Sequence, residues 1–518
     1  MRKWFFIVFG GIFLFIFTIG YYYSFYYQLL WVVVPLFLLG LYDIIQQKHA
    51  ILRNFPVIGH FRYLFEAIRP EIQQYFIESD TNGTPFSRIY RSIAYERAKH
   101  ETDTIPFGTQ FDVYRVGHEW INHSLTPTKI VRDIKVKIGG KHCSKPYNAS
   151  YLNISAMSFG ALSKNAVLAL NKGAAMGGFY HNTGEGSISE YHLKYGGDLV
   201  WQIGTGYFGC RTKDGKFAEE AFKEKALLPQ VKMIELKLSQ GAKPAHGGIL
   251  PACKNTPEIA KIRGVEPYTT VYSPPAHTAF STPVEMMKFI QRLRELSDGK
   301  PVGFKLCIGN PIEFIKLAKA MLKTGITPDF ITVDGAEGGT GAAPMEFSNS
   351  VGMPMKDAIV FVKDVLDGYG LKEEIKIIAS GKIITGFHVL RALALGADLC
   401  NSARGMMFAL GCIQALRCNT DFCPSGVATQ NPDLYKGLHV DIKAERIKNF
   451  HEETVKAFFE LVEACGVNNP EGITRHHIYR RVNENTIQTY EDMYPYVPEK
   501  AFLKNIPTDY LKWLEKTD

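Results

Sequence analysis

Cysteine is scarce in this chain. Nine of the 518 residues are cysteine, an odd number with no regular pairing pattern along the sequence. Small secreted scaffolds depend on dense disulfides at regular spacings. The scarcity therefore argues against a secreted disulfide scaffold and favours a reducing compartment.

Concentrated positive charge is also missing. The formal net charge of +8 is spread thinly along the chain, and no basic block with interleaved aromatic residues occurs. A basic patch of that kind is the electrostatic signature of nucleic-acid binding. We therefore expect no nucleic-acid partner.

Charge of either sign is absent near the N-terminus, where the run from Trp4 to Tyr42 contains no Asp, Glu, Lys or Arg. One spanning helix needs about 20 apolar residues, so this run predicts two short membrane spans, at about 5–24 and 28–45. Residues 1–48 are thus expected to form a transmembrane hairpin. One long tilted span is the alternative. A signal peptide fits poorly, because its apolar core is only about 7–15 residues long.

The flanks of this run predict its orientation. Arg2 and Lys3 precede it, and Lys48 and Arg53 follow it. Loops rich in Lys and Arg stay in the cytoplasm. The expected location is therefore the cell inner membrane, with the rest of the chain facing the cytoplasm.

The remaining chain divides into a lead-in segment over 49–145, an alternating region over 146–435 and a polar, helical C-terminal extension over 436–518. The alternating region contains eight short apolar runs that read as strands, separated by helical patterns. The strand candidates are YLNISAMS, GGFYHNTG, VWQIG, KMIELKLSQG, VGFKLCIG, FITVDG, KIIASG and DLCNSARG. This alternation predicts an α/β fold, a (β/α)8 TIM barrel, with the chemistry at the loops that follow the strands. A doubly wound sheet is the alternative.

The loops after the last three strands are rich in glycine: VDGAEGGTGAAP (333–344), ASGKIITG (379–386) and NSARG (401–405). Glycine lets backbone N–H groups approach a phosphate closely, and barrels often bind phosphate after strands seven and eight. Turns need glycine too. No GxGxxG follows a first strand, which favours flavin mononucleotide (FMN) over a bound nicotinamide.

Lys305 lies on an otherwise apolar strand, where an unpaired charge is costly. Its partner is either the electron-rich edge of a reduced flavin or an acidic side chain on a neighbouring strand. Glu185 lies between two glycines after the second strand, which suits an orienting or proton-transferring carboxylate; a solvated turn residue is the alternative.

Lys243 and Arg263 follow the fourth strand and predict a basic pocket for a small carboxylate, with Arg263 providing a bidentate contact. His246 lies beside them, and we interpret it as a structural hydrogen-bonding residue.

Three of the nine cysteines lie close together in GCIQALRCNTDFCPSGVATQ (411–430): Cys412, Cys418 and Cys423. The spacing lacks the CxxC pairs typical of zinc, and a proline follows Cys423 as in ferredoxin-type loops. The spacing alone does not decide whether these cysteines are cluster ligands or buried core residues. A four-iron cluster would need a fourth ligand such as Cys400 or Cys465.

Together these motifs resemble the FMN-binding domain of glutamate synthases, and the whole chain resembles the short membrane-anchored glutamate-synthase-like proteins of bacteria. The matching segments are SAMSFGALS (155–163), NTGEG (182–186), QGAKP (240–244), SPPAH (273–277), DGAEGGTGAAP (334–344) and the cysteine segment. They occur in the family's order and cover about 150–435.

The resemblance implies a barrel that holds FMN beside a 3Fe–4S cluster and reduces the imine formed from 2-oxoglutarate and ammonia to L-glutamate. Electrons would come from a ferredoxin or a reductase. By position, Cys412, Cys418 and Cys423 are the cluster ligands, Glu185 and Lys243 are catalytic, and Lys243 and Arg263 bind the substrate. The expected cofactor-binding residues are Met157, Ser158, Gln240, Lys305, Gly338, Gly339, Gly381, Lys382, Arg404 and Gly405.

Three departures from the family pattern bear on the substrate and its supply. The chain begins with the predicted hairpin in place of a glutaminase domain, so ammonia is expected from outside. The C-terminal β-helix of the family is not recognisable. Ile249 occupies a position where the family usually has glutamine, which removes an amide from the substrate pocket. One alternative is therefore an enzyme with the same cofactors that acts on another oxo acid or amine, as in N-alkyl amino acid synthesis. Another is a membrane electron-transfer module without an organic substrate.

Overall fold

The computed structural model describes residues 1–101 and 104–516. The chain forms two compact units, Met1–Arg88 and Ile89–Asp518. The helices of the first unit are α1 (Arg2–Tyr22), α2 (Leu30–Ile45), α3 (Ala50–Asn54) and α4 (His60–Ile72), and α5 (Arg88–Lys99) begins at its end.

The predicted hairpin is present as two apolar helices. The segments Arg2–Tyr22 and Ser24–Ile45, the second including a 3-10 turn before α2, are each long and apolar enough to cross a membrane. The helices pack through aromatic rings, with Phe5 stacked on Phe37 at 5.5 Å. The first helix ends at Tyr22 because Tyr23 takes an extended conformation.

The second unit contains all the strands of the chain's described part. In chain order they are β1 (Glu119–Ile121), β2 (Val136–Ile138), β3 (Tyr147–Ala149), β4 (Leu152–Ile154), β5 (His181–Asn182), β6 (Leu199–Ile203), β7 (Val231–Lys237), β8 (Ile249–Leu250), β9 (Val271–Tyr272), β10 (Val302–Leu306), β11 (Phe330–Asp334), β12 (Lys376–Ser380), β13 (Leu399–Ser402), β14 (Ile478–Arg481) and β15 (Ile487–Thr489).

The further helices surround these strands or connect them. They are α6 (Lys164–Gly177), α7 (Glu190–Leu193), α8 (Glu219–Ala226), α9 (Pro257–Arg263), α10 (Pro283–Leu296), α11 (Pro311–Thr324), α12 (Met345–Ser350), α13 (Met355–Gly368), α14 (Gly386–Leu395), α15 (Arg404–Leu410), α16 (Pro432–Tyr435), α17 (Val440–Ala464), α18 (Tyr490–Met493) and α19 (Thr508–Leu514).

Eight strands close into a parallel barrel in the order β4-β5-β6-β7-β10-β11-β12-β13. Each of the eight predicted strands is one of them, so the prediction of a (β/α)8 barrel is confirmed. The strands read as near-continuous apolar runs because helices cover one face and the barrel interior the other. Several strands end in a polar or charged residue at the carboxyl-terminal rim of the barrel. Examples are Lys237, Asp334 and Ser402, the last residues of β7, β11 and β13.

An apolar hairpin closes the amino-terminal end of the barrel. Strands β2 and β3 pair antiparallel, and Ile138 and Ala149 join a buried cluster with Phe330 and Leu399, the first residues of β11 and β13. The backbone N–H of Gly140 donates to Asp329 just before β11, at 2.8 Å. This end is therefore packed shut.

The region after 435 is only partly helical. The long helix α17 packs against α6, but β14 and β15 form a three-stranded antiparallel sheet with β1. The pairing joins Trp120 to Tyr479. A strand of three or four residues has little pattern of its own, and its partner is remote in sequence, which is why the sheet was not predicted.

Candidate active site

Glu185 lies in the loop that follows β5 and is paired with a lysine. Its Oε1 is 2.9 Å from Nζ of Lys237, the last residue of β7, and the Glu185 side chain is 17% exposed. Burial by itself raises the pKa of Glu185, but Lys237, Arg263 and Lys243 outweigh it and hold the pKa below its ordinary value. Glu185 is therefore a carboxylate at neutral pH, and not the freely solvated turn residue of the alternative interpretation.

Glycines make room for this carboxylate on two sides. A β-carbon built at Gly204 would lie 2.7 Å from Oε2 of Glu185, and one built at Gly248 would lie 2.5 Å from Oε1. Any larger residue would displace the carboxylate. The loops after β6 and β7 thus meet around Glu185, and Ile249 begins β8 directly after Gly248.

Arg263 ends α9 beside Glu185 and is buried. One terminal nitrogen donates to the carbonyl of Phe159 at 3.0 Å, and the guanidinium carbon lies 5.1 Å from the centre of the Phe208 ring. Its Nε is buried without a partner among the described residues. Burial lowers the pKa of Arg263 to about 10, with Glu185 opposing the shift. The group stays charged at neutral pH and has an unused donor.

Lys243 is buried in the loop after β7. Its Nζ donates to the carbonyl of Ala342 at 2.9 Å. Burial, followed by repulsion from Lys237, lowers the pKa of Lys243 to about 8, although Glu185 opposes this. Three cationic side chains thus face one carboxylate, which makes the pocket attractive to a small dianion.

Lys305 in β10 pairs with an acidic residue of the adjacent strand, one of the two partners that its sequence context predicts. Its Nζ lies 3.3 Å from Oδ2 of Asp334 in β11. Burial alone lowers the pKa of Lys305, but Asp334, Glu235 and Glu185 raise it above its ordinary value. The lysine is charged, and it lies at the rim beside the glycine-rich loop.

The glycine-rich loops come together around Arg404. A terminal nitrogen of Arg404 donates to the carbonyl of Glu337 at 2.9 Å, and a β-carbon at Gly339 would lie 2.5 Å from another of its nitrogens. Burial, then repulsion from Arg404, lowers the pKa of Lys382. Gly338 and Gly381 lie in the loops after β11 and β12, and Gly405 follows Arg404 in the first turn of α15. Two cations beside glycine-rich backbone fit a phosphate.

The remaining predicted cofactor residues lie on the same rim. A β-carbon at Gly184 would meet the backbone of Met157 and Ser158, so these two residues contact the loop that bears Glu185. Gln240 follows β7, and its carbonyl accepts the N–H of Lys243 at 3.2 Å.

The three cysteines lie close enough for their thiols to influence one another. The pKa of Cys412 is raised to about 12, mainly by burial, and Cys418 and Cys423 contribute to the same shift. Burial alone also raises the pKa of Cys423, but hydrogen bonds from Ser425 and from backbone N–H groups outweigh it and lower that pKa. N–H groups directed at a sulfur stabilise a thiolate ligand.

The surroundings of the cysteines connect them to the rest of the rim. A β-carbon at Gly341, in the loop after β11, would lie 3.1 Å from Cβ of Cys418. Nζ of buried Lys254 donates to the carbonyl of Ala428 at 2.7 Å and to that of Ala161 at 3.3 Å. The cysteine segment therefore abuts the glycine-rich loop after β11 and the loop after β4.

No group of three or more His, Cys, Asp or Glu side chains could hold a metal ion in 1–101 or 104–516. Cys400 lies in β13, where burial raises the pKa of its thiol and Arg391 opposes the shift. Cys465 follows α17.

Sequence reasoning missed three residues of this rim. Lys237 was overlooked because it ends a strand that also contains a second lysine and a glutamate. Lys254 lies in a short turn without a motif. His277 ends the segment SPPAH and contacts the carbonyl of Lys237 through Nε2 at 2.9 Å, and burial lowers its pKa to about 4. A charged last residue on an apolar strand is the signal that identifies Lys237.

Comparison with known proteins decides the family. The family model for the conserved region in glutamate synthase matches residues 122–468. The chain belongs to the glutamate synthase family. The glutamate synthase large subunit-like protein YerD of Bacillus subtilis is 41% identical over an alignment of 491 positions that covers 86% of this chain and 93% of that protein.

Other family members match a shorter stretch. The archaeal glutamate synthase [NADPH] of Methanocaldococcus jannaschii is 35% identical over 321 residues, 62% of this chain and 60% of that protein. Among solved structures, a flavocytochrome b2 mutant with benzoylformate matches with a TM-score of 0.44 and 12% identity, covering 86% of this chain and 91% of the other.

Proposed function

We propose that this glutamate synthase family member is a membrane-anchored oxidoreductase that forms L-glutamate from 2-oxoglutarate and ammonia through reduction of the imine. The observation that carries the proposal is the cluster of Lys237, Lys243 and Arg263 around Glu185 at the carboxyl-terminal rim of the barrel. The names of its relatives support the same reaction.

The cationic side chains account for substrate binding. 2-Oxoglutarate carries two carboxylates, and the pocket has more positive than negative groups. The free Nε of Arg263 can donate to one carboxylate, and Nζ of Lys243 is within the same loop cluster. An arginine held by Phe159 and Phe208 loses little conformational freedom on binding.

Proton transfer would fall to Glu185 and Lys243. Glu185 is ionised, so it can accept a proton from ammonium or orient the substrate nitrogen. Lys243, with a pKa of about 8, is mostly protonated at neutral pH and can return a proton to the developing amino acid.

The rim also fits the expected cofactors. Gly338, Gly339, Gly381, Lys382, Arg404 and Gly405 would hold the phosphate of FMN, while Met157, Ser158, Gln240 and Lys305 would face its ring system. Cys412, Cys418 and Cys423 would hold the 3Fe–4S cluster. Such a cluster has three irons, and each of the three thiolates would bind a different one. When bound, FMN supplies a hydride, and the cluster supplies single electrons from a donor protein such as a ferredoxin or reductase.

The two apolar helices are proposed to anchor the protein in the cell inner membrane. Basic residues flank both ends of the hairpin, which favours a cytoplasmic location for both ends and for the barrel. Residues 1–48 form the anchor in this proposal, followed by the lead-in 49–145, the barrel 146–435 and the extension 436–518.

A second candidate is the same chemistry on another oxo acid or amine. Ile249 favours it, because this apolar, partly exposed side chain follows the glycine that contacts Glu185. An isoleucine there offers no hydrogen bond to a small polar nitrogen and suits an alkylated amine.

The test uses purified full-length protein, reduced without oxygen and followed by its visible spectrum. Addition of 2-oxoglutarate and ammonium should reoxidise the flavin and yield one glutamate per two electrons, measured by mass spectrometry. Reoxidation with methylamine but not ammonium would establish the second candidate. A bound flavin that no oxo acid and amine reoxidise would contradict both and favour an electron-transfer module.

A further inference from the structure

Helix α4 presents an apolar face that nothing within its own unit covers. Phe61, Leu64 and Phe65 are 57%, 52% and 60% exposed, and Ile68 and Ile72 continue the same face. These positions are spaced by three and four residues and therefore lie on one side of the helix. Contiguous exposed apolar surface of this kind marks an interaction site.

The apolar face continues beyond the end of α4. A π-helical turn over Gln73–Ile77 follows directly, and Phe76 in it is 83% exposed. Arg62 and Arg69, seven residues apart, lie along one edge of the face. Long arginine side chains at such an edge can reach polar headgroups while the apolar side chains are buried.

Hydrogen bonds place the start of α4 at the open end of the hairpin. Asp43, two residues before the end of α2, accepts from the backbone N–H of Val57 at 2.9 Å and contacts Nε2 of His60 at 2.9 Å. Nε of Arg2, at the start of α1, donates to the carbonyl of Arg53 at 2.7 Å. The start of α1, the end of α2 and the first residue of α4 therefore lie close together, at the same height along the axis of the hairpin.

We propose that α4 is an interfacial membrane helix that lies in the headgroup region of the bilayer, with its apolar face towards the acyl chains. The occupant of the face is lipid, because the face begins where both apolar helices end and because Arg62 and Arg69 border it. Glu66 and Glu71 balance these two arginines, so apolar burial, more than charge, provides the binding. The proposal rests on the proposed membrane anchor.

Photo-crosslinking in full-length protein tests this placement. p-Benzoylphenylalanine replaces Phe65 on the apolar face, Tyr63 on the opposite face as the matched control, or Phe15 within α1 as a reporter of insertion. Each protein is reconstituted in nanodiscs of phosphatidylcholine and phosphatidylglycerol and irradiated, and adducts are identified by mass spectrometry. Replacement of Ile72 provides a second position on the apolar face.

We expect lipid adducts at positions 15, 65 and 72, with a yield at 65 at least fivefold above that at 63. Lipid adducts at 15 but not at 65 or 72, or a polypeptide adduct at 65, would overturn the interfacial placement and leave the anchor intact. Loss of lipid adducts at all positions would reject the anchor itself, and the placement with it.

Discussion

The two ends of the barrel differ in chemistry although the same eight strands form both. At the amino-terminal end, Phe330 and Leu399 pack with Ile138 of the β2–β3 hairpin. At the carboxyl-terminal end, Lys237 and Asp334 end two of the same strands and face other charged groups. One end contributes apolar packing and the other presents charge, which separates stability from function within a single sheet.

The largest expected effect is at the charged end. Replacement of Glu185 by Gln keeps the shape of the side chain but removes its charge and its ability to accept a proton. We expect glutamate formation by the folded protein to fall by about 10²–10⁴-fold, and the melting temperature to fall as well, because buried Lys237 loses its ion-pair partner. Steady-state kinetics and thermal unfolding measure the two effects.

Glu190→Gln is the matched control, because Glu190 is an exposed glutamate five residues further along the chain. Its activity should equal that of the unsubstituted protein. A Glu185→Gln protein with full activity would remove the carboxylate from the proposed chemistry.

The opposite result is expected at the packed end. Phe330→Ala removes a fully buried ring from the cluster that closes the barrel, and such substitutions cost about 3–5 kcal/mol of unfolding free energy. Denaturant unfolding measures the loss, and the kcat of the folded fraction should stay within about twofold of the original value. A large fall in kcat without loss of stability would show that the two ends are not separable.

An intermediate effect concerns the pH dependence of substrate binding. Because the pKa of Lys243 is about 8, its positive charge is present below that pH and is lost as the pH rises through it. The kcat/KM for 2-oxoglutarate should therefore decline by about tenfold per pH unit above pH 8. Lys243→Arg keeps the positive charge. In this variant the decline of kcat/KM at basic pH should therefore begin at a higher pH, whatever the absolute rate. An unchanged limb would assign the titration to another group.

The smallest expected effect concerns amine selectivity. Ile249→Gln introduces an amide beside Gly248, and we expect the ratio of kcat/KM for ammonia over methylamine to rise by about tenfold, equivalent to one hydrogen bond of about 1.4 kcal/mol. Ile249→Leu is the control, since it keeps an apolar side chain of the same volume. If the ratio is the same in the original protein and in both variants, residue 249 does not determine amine selectivity.

Much of the barrel could be predicted from sequence because its parallel strands are buried on both faces. Each therefore appears as a short apolar run bounded by glycine or polar residues, as in VGFKLCIG and FITVDG. Glu185, Lys243 and the glycine-rich loops were predicted from the rule that barrel chemistry lies after the strands, whereas Met157, Ser158 and Gln240 came from the family resemblance. The pairing of Lys305 stayed open, because two partners of similar charge were possible and only the strand register brings Asp334 within 3.3 Å.

The sequence alone determined the order of the strands, the charge-free N-terminal run and the loops that bear Glu185, Lys243 and the cysteines, because these depend on local apolar patterns. Only the tertiary structure decided that Lys237 is the partner of Glu185 and that β1 pairs with β14. These contacts join residues far apart in the chain. Barrel closure and antiparallel pairing bring these residues together, and no local sequence pattern encodes a contact between residues so far apart in the chain.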